Sequence, residues 1–546
     1  MSFIKNKYIL ALISGTLLGI SYPPFPTGIF AFIAFVPFFI LFEDVEDYAR
    51  GFRYALLMLF IFNLITLYWT GGFTHGKDVY LMLAGGLLLL AHPFFFLIPV
   101  AGWMFFRKYF GFKQSLMAFP FLWVAFEYLH SLSEVSFPWN TLGITQTYDL
   151  PFIQFISFTG VYGLSFLIIC INILIYFLIS SLRFGHTRIF SFRSFRLTIF
   201  IILLFLIPRI YGWNQLHRQS SSVGNEVRVG IVQPNIDPFE KWQGNAIRQI
   251  TLIQSLTDSF AHHPVDLVLW PETAVPFYLL EPSNKLYFDR IQHQIDVLNI
   301  NLLSGFPDIV HYRSNEPMPK SSKQAVNGDR YDDFNSSLLL QPRSNQVQKY
   351  SKMMLVPFAE RVPFSEQLSF LNAMQWNFGL GGWALGKDTT VFHFVTASGM
   401  PVKFSNMICY ESVYPSLVSG FVRKGAEFLT VITNDSWWGN TSGPYQHRQI
   451  AILRAVENRR WIVQCANGGI SCSIDPFGSL VMEQPMFTQT IATTSVELES
   501  EMTFYTEHGD WFAELCTMFS VFFVVGAFGS KMYVRIRKIQ ADERPS

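Results

Sequence analysis

Charge is scarce in this sequence. Asp, Glu, Lys and Arg make up 14% of its 546 residues, against about 25% in an ordinary soluble domain. The net charge of +1 gives no broad basic surface, so nucleic acid is not an expected partner. Cysteine is sparse as well. The five thiols, Cys170, Cys409, Cys465, Cys472 and Cys516, form no Cys-x-x-Cys pair and lie near no histidine cluster. That excludes the usual zinc ligand sets, and no metal site is expected. The spacing of Cys465 and Cys472 leaves a disulfide between them open, with an odd thiol left over. Apolar residues, in contrast, make up half the chain, and 17% of it is aromatic. The excess is uneven. Residues 1–215 hold most of the long apolar runs, whereas 225–500 read like a water-soluble domain.

A membrane-crossing helix needs about 20 mostly apolar residues. Eight candidates stand out: Tyr8–Tyr22, Gly28–Phe42, Tyr54–Trp69, Val79–Phe106, Ser115–Tyr128, Val161–Leu182, Leu197–Trp213 and Trp511–Val534. The first, second and fifth are short. With the turn "YPPFP" between them, the first two read equally as a hairpin that does not fully cross. Basic residues set orientation, because loops rich in Lys and Arg stay cytoplasmic. Lys5 and Lys7, Arg50 and Arg53, Arg107 and Lys108, Arg183 and Arg196, then Lys531 and Arg535 all fall in alternate loops. The loop 131–160 carries no Lys or Arg at all. Both termini are therefore expected in the cytoplasm, with 225–500 outside, the 511–534 helix closing the membrane part and 535–546 a cytoplasmic tail. The first helix lacks a small-residue cleavage site and leads into further spans, so it is not read as a cleaved signal peptide.

The polar half alternates strand-like and helix-like stretches. "VRVGIVQPN", "VDLVLWPET", "NLLSGFP", "FNSSLLLQP", "QVQKYSK", "VKFSNMICYE", "EFLTVITND", "WIVQCANG" and "SCSIDPFG" read as strands, and 239–260, 284–297 and 444–459 as helices. The class is α/β. Near-continuous apolar strands suit sheets covered on both faces. Glu272, Cys409 and Asp435 each follow the carboxyl end of such a strand, where ligand sites of α/β sheets collect.

The stretch "NMICYESVYP" holds Cys409. A lone cysteine there is as readily a small buried hydrophobe as a nucleophile. A nucleophile needs a base and a donor for the developing oxyanion. Glu272, in "LVLWPETAVP", offers a carboxylate in apolar surroundings; Lys352, in "YSKMMLVPFAERVPF", offers an ammonium. Each has a plainer alternative, a turn cap for Glu272 and a solvated surface residue for Lys352. His262, His263 and His447 read as surface or internally satisfied polar residues.

Taken in order, "WPET", a lysine before "LVPFAERVPF", and "ICYE" resemble the Glu–Lys–Cys triad of the nitrilase superfamily. Together with eight spans and an outward domain, the chain resembles the apolipoprotein N-acyltransferase family over nearly its whole length. The resemblance implies an αββα sandwich behind a polytopic helical membrane domain, and a set of roles. Glu272 is the general base, Lys352 the electrostatic stabiliser and Cys409 the nucleophile. Glu360 supports the lysine. Tyr410 and Glu411 follow the nucleophile, with the Tyr410 N–H as oxyanion donor. Trp242, in "DPFEKWQ", and Trp437, in "NDSWWGNTSGPYQH", match substrate-binding positions. The implied reaction moves an acyl chain from a phosphatidylethanolamine-like phospholipid, through a cysteine thioester, to the N-terminal amine of a diacylglyceryl apolipoprotein. No cofactor is implied, and a monomer in the inner membrane is expected, its catalytic domain periplasmic. The family's two histidines after the lysine and its "PFGEYVP" are replaced here by Met353, Met354, Ala359 and Arg361, so Glu360 has Arg361 as an alternative partner. The apolar stretch 362–385, with Phe370 and Trp376, reads as an arm dipping into the outer leaflet, or as ordinary core. A membrane-tethered amidase that cleaves a C–N bond is the alternative function, and a non-catalytic scaffold a third.

Overall fold

The computed structural model describes residues 6–72, 79–183, 191–217, 225–239, 241, 246–313, 319, 322–325, 328–367 and 382–542. Each of the eight candidate spans is at least partly helical, with elements Lys7–Gly19, Phe35–Phe42, Tyr48–Leu67, Val79–Phe95, Leu97–Phe110, Phe112–Ser131, Ile156–Arg183, Phe192–Leu216 and Trp511–Asp542. Among the described residues, five helices are long and apolar enough to cross a membrane, so the expected count of eight is not reached. The first two stretches fall short for a geometric reason. Lys7–Gly19 has 13 residues, and at 1.5 Å per residue it rises about 20 Å, less than the ~30 Å hydrocarbon layer. Gly28–Phe42 is broken into a 3-10 turn, Gly28–Phe32, and the helix Phe35–Phe42. Lys7–Gly19 instead packs closely on Tyr48–Leu67, where a Cβ at Gly15 would lie 2.4 Å from the Met58 carbonyl. Small residues permit such approach between apolar helices.

Among the described residues, thirteen strands build two stacked sheets: β1 Glu226–Gln233, β2 Leu267–Leu269, β3 Asn301–Tyr312, β4 Lys323–Gln324, β5 Arg330–Leu340, β6 Val347–Ser351, β7 Phe392–Val395, β8 Pro401–Ile408, β9 Phe428–Thr433, β10 Ile462–Ala466, β11 Cys472–Ile474, β12 Leu480–Glu483 and β13 Thr490–Glu497. One sheet runs β13-β1-β2-β3-β5-β4, with β6 sharing the outer edge of β5; the other runs β12-β11-β10-β9-β8-β7. Each has a parallel trio at its heart, β1-β2-β3 and β8-β9-β10. Period-two alternation sorts their side chains. Leu267, Leu269, Leu303 and Leu339 share one buried cluster with Phe404, Met407 and Val431 of the facing sheet. Val268, Leu302 and Leu338 point the other way, onto Ile250 and Ile253 of the Ala246–Asp258 helix and Ile291 and Ile295 of Lys285–Leu298. The helices Pro415–Arg423 and Ser442–Asn458 cover the second sheet. The layers are helix, sheet, sheet, helix, as expected. The edge strands β4, β7 and β12 are only two to four residues long and β13 alternates buried with exposed residues, and all four are absent from the sequence reading.

The Ser442–Asn458 helix faces the membrane part with its other side, and all but Tyr445 of its residues are buried. Gln446 is the hub of that contact. Its Oε1 accepts from Trp139 Nε1 at 2.7 Å and Trp69 Nε1 at 3.1 Å, and its Nε2 donates to the carbonyls of Pro23 and Thr66. The loop after Phe112–Ser131, buried throughout 136–147, fills the space between the two parts. Glu457, sealed beside Arg454, accepts from the Val161 N–H at 2.8 Å. Cys465 and Cys472 are both free thiols, which closes the disulfide alternative; Cys472 pairs instead with Gln464 across β10 and β11.

Replacing Gln446 with Leu leaves two buried indole N–H groups without this acceptor. At ~1–3 kcal/mol for each lost partner, Gln446→Leu is expected to lower the thermal unfolding temperature of the detergent-solubilised protein by several degrees; an unchanged transition would contradict this role.

Candidate active site

Three strand ends and one loop converge. Glu272 lies three residues past β2, in a turn anchored by Trp270, which is fully buried and donates from Nε1 to Thr257 Oγ1 at 2.9 Å. Thr273 takes φ +47°, a left-handed conformation that ordinary residues adopt only under constraint. Gly305 of β3 passes directly beneath: a Cβ there would lie 2.5 Å from Thr273 N and 2.8 Å from Glu272 Cα. The turn that presents Glu272 therefore depends on a bare backbone opposite it.

Lys352 follows the last residue of β6 and is 1% exposed. Its Nζ lies 2.8 Å from Glu360 Oε1 and 3.3 Å from Glu272 Oε1. Burial by itself would lower the lysine's pKa; Glu360 and Glu272 more than reverse this, and the net shift is upward. The ammonium is permanently charged at neutral pH. Asn335 of β5 joins the group: its Nδ2 donates to Glu272 Oε1 at 2.8 Å and Glu360 Oε1 at 3.3 Å, and its carbonyl accepts from Lys352 N. Glu360 Oε2 accepts from the Val356 N–H. The alternative partner for Glu360 is removed, since Arg361 pairs with Glu366 at 2.7 Å.

Cys409 is the first residue after β8, at φ +53°, opening a 3-10 turn over Cys409–Val413. Such a backbone outlier is often found at functional sites. Burial pushes its thiol well above the ordinary range, Glu272 pushes the same way, and Lys352 pulls against them. The resting group is thus a neutral thiol, and its activation needs a base. Glu411 is fully buried and braces the two halves of the site. It accepts from Tyr350 OH at 2.5 Å, Met353 N at 2.7 Å and Met354 N at 3.3 Å on the lysine side, and from Ile408 N at 2.7 Å on the cysteine side. Burial pushes its pKa up to about 7, against these donors. Met353 and Met354 contribute here through backbone N–H groups, which any side chain leaves in place. The Tyr410 hydroxyl donates to the Ser136 carbonyl at 3.0 Å, and its ring lies parallel to Trp139 at 6.2 Å. The residue after Cys409 is thus gripped by the loop from the membrane part.

Trp437 is half-buried and meets Phe239 edge to face at 5.1 Å. Trp242, Phe370 and Trp376 lie outside the described residues. The near end of the 362–385 stretch is described: Glu134, from the membrane part, accepts from Phe364 N at 2.7 Å and Gln367 Nε2 at 3.1 Å.

Asn335, Lys241 and His447 were missed as site residues. Asn335 had one signal, a polar residue opening an apolar strand. Lys241, 3% exposed, donates to the Glu272 carbonyl at 2.8 Å and Thr273 Oγ1 at 2.6 Å; burial pulls its pKa down to about 7, with Glu272 opposing. His447 is internally satisfied, as one of its sequence readings had it, and sits in the site itself. It is 1% exposed, with Nδ1 3.0 Å from Asp435 Oδ1 and Nε2 3.1 Å from the Cys409 carbonyl.

Residues 14–174 match the family model described as apolipoprotein N-acyltransferase N-terminal domain, and residues 228–503 match carbon-nitrogen hydrolase. An apolipoprotein N-acyltransferase of Chlorobaculum tepidum is 37% identical over 94% of this chain and 95% of its own. One of Geobacter metallireducens is 31% identical over 94% and 93%. Among solved structures, Saccharomyces cerevisiae Nit3, a member of branch 10 of the nitrilase superfamily, is 17% identical with a TM-score of 0.37, covering 51% of this chain and 93% of its own. The chain belongs to the apolipoprotein N-acyltransferase family, its polar half matching carbon-nitrogen hydrolase.

Proposed function

We propose that this protein N-acylates apolipoproteins with Glu272, Lys352 and Cys409 as its catalytic triad. The observation that carries the reading is the placement of a buried, charged Lys352 between two carboxylates beside a neutral thiol on which Glu272 and Lys352 both act. Glu272 takes the thiol proton, and sulfur attacks the ester carbonyl of a phospholipid. The Lys352 ammonium and the Tyr410 N–H stabilise the tetrahedral oxyanion. The ester C–O bond breaks, Glu272 returns the proton to the departing alkoxide, and lysophospholipid leaves a thioester on Cys409. The acceptor's N-terminal amine then attacks this thioester. Glu272 takes the amine's proton, the C–S bond breaks, and the sulfur is reprotonated. The sequence is ping-pong covalent catalysis. Thioesters acylate amines readily, which suits sulfur to the role.

The donor is a phosphatidylethanolamine-like lipid and the acceptor a diacylglyceryl apolipoprotein, as the relatives' names and the resemblance suggest. Orientation follows the basic loops: both termini cytoplasmic, the domain of residues 225–500 on the periplasmic face of the inner membrane, and helices within 1–215 and 511–534 anchoring it at both ends. The contact through Gln446 and the 136–147 loop supports a catalytic domain held at the membrane, where a lipid ester is reachable. A hydrolytic amidase has no need of such docking.

Incubated with phosphatidylethanolamine, the purified protein is expected to carry an acyl adduct on Cys409 by mass spectrometry, and a diacylglyceryl peptide to receive that acyl group on its amine. No adduct, or one that persists in Cys409→Ala, would overturn the mechanism; release of free fatty acid with the peptide unmodified would favour hydrolysis. Glu272→Gln is expected to slow adduct formation by about 10³-fold or more.

Gly305→Ala gives a separate check on the turn. Its new Cβ displaces Glu272, so adduct formation is expected to fall by at least about tenfold, while far-UV circular dichroism stays native. An unchanged rate would mean that the turn tolerates the shift.

A further inference from the structure

Beneath the nucleophile lies a buried pair that the proposed mechanism does not use. Asp435, just past β9, accepts from Thr433 Oγ1 at 2.8 Å and faces His447 Nδ1 at 3.0 and 3.2 Å. On the other side of the ring, Nε2 lies 3.1 Å from the Cys409 carbonyl oxygen and 2.8 Å from Ser412 Oγ. Ser412 Oγ is itself 3.1 Å from that carbonyl. A carboxylate on one nitrogen and a carbonyl on the other both call for N–H donors, so this arrangement suits the imidazolium. Then the Cys409 carbonyl receives the Nε2–H and the Ser412 hydroxyl. Loss of the Nε2 proton reverses both contacts. The nitrogen's lone pair faces the carbonyl and draws the Ser412 hydroxyl to itself, leaving the carbonyl without either donor.

The Cys409 carbonyl belongs to the same peptide group as the Tyr410 N–H. Donors on the oxygen of a peptide polarise its N–H and strengthen the bond that N–H gives, because hydrogen bonds in a chain reinforce one another in a low-dielectric site. We propose that His447, charged and oriented by Asp435, is a positioning residue that fixes the left-handed Cys409 backbone and strengthens the Tyr410 N–H as an oxyanion donor. This rests on the acyl-transfer reading above. The groups facing the ring support the charged form. Asp435, a side-chain bond to it, the Cys409 carbonyl and Glu272 raise the pKa of His447, more than offsetting its burial. Asp435 and the Thr433 side chain also act on the Cys409 thiol, the first raising its pKa and the second lowering it. On the ring's own helix, Arg448 is paired with Glu483 and Arg454 with Glu457, and the nearby Trp139 ring, 5.6 Å away, is uncharged.

The sign follows from the charged form being the competent one: the contribution is present at low pH and lost as pH rises through the raised pKa of His447. The test uses full-length protein in detergent micelles with phosphatidylethanolamine and no acceptor, so that only thioester formation is read; the acceptor amine is absent, and the lipid's own headgroup amine is common to every variant. In the wild type the rate is expected to fall on the alkaline side. His447→Gln should lower the rate by about tenfold near pH 6.5 without changing half-saturating lipid, and should abolish the alkaline fall. Asp435→Asn should move that fall to lower pH. An alkaline limb at the same pH in all three proteins, or a loss confined to half-saturating lipid, would overturn the proposal. Nitrogen NMR of histidine-labelled wild type, with the His447→Gln spectrum for assignment, should show both ring nitrogens protonated near pH 7; if that variant does not fold, Asp435→Asn identifies the resonance by its shift. A neutral ring there would equally overturn it. Absence of any adduct in the wild type defeats the acyl-transfer reading instead, so the two failures are distinguishable.

Discussion

A single buried ammonium organises the candidate site. Lys352 has no access to water and is balanced by Glu360 at 2.8 Å and Glu272 at 3.3 Å. Removing one partner from such a buried group leaves an uncompensated charge, which costs about 3–5 kcal/mol. Three chain segments are therefore committed to one geometry: the turn after β2, the end of β6 and the loop carrying Glu360. Asn335 secures the arrangement by binding both carboxylates and the lysine backbone. Glu411 then extends the order to Cys409 by joining the β6 end to the β8 end through four hydrogen bonds. A donor for a developing oxyanion that is fixed beforehand needs no reorganisation when charge appears.

The same region is tied to the membrane part. Tyr410 meets Ser136 and Trp139, Tyr414 meets Ser136 at 2.7 Å, and Gln446 binds Trp69 and Trp139. The helix that presents Gln446 also presents His447, one residue on and within reach of the Cys409 carbonyl. Docking and the backbone of Cys409 thus share one rigid element. In the proposed reaction, whose acyl donor stays in the bilayer, that element holds the Cys409 sulfur in a fixed relation to the membrane part.

Much of the α/β part was legible because its central strands are apolar on both faces. β1, β8, β9 and β10 read directly from runs such as "VRVGIVQ" and "EFLTVIT". The strands β7, β12 and β13 did not, because an edge strand exposes alternate residues and its sequence resembles a loop. The helices of the membrane part were located, but the expected eight crossings are not all confirmed: among the described residues five helices are long and apolar enough. Hydropathy records the preference of a segment for an apolar environment and does not distinguish lipid from protein around Phe35–Phe42, most of which is buried, or around Lys7–Gly19, which buries one face and exposes Tyr8, Leu12 and Ile13 on the other.

Along the chain, the sequence determined which residue types stand at strand ends: a carboxylate at 272, a lysine at 352 and a cysteine at 409, within strings that resemble one family. Those features are local, and a motif carries them. Whether Glu360 serves Lys352 or Arg361, that Asn335 binds both carboxylates, and that His447 lies under the Cys409–Tyr410 peptide were decided only by the tertiary structure. Each is a contact between residues separated by 8 to 63 positions along the chain, and no local pattern encodes which distant atoms a fold brings within 3 Å of one another. Histidine and asparagine are also common satisfied polar residues, so their roles become visible only when their partners do.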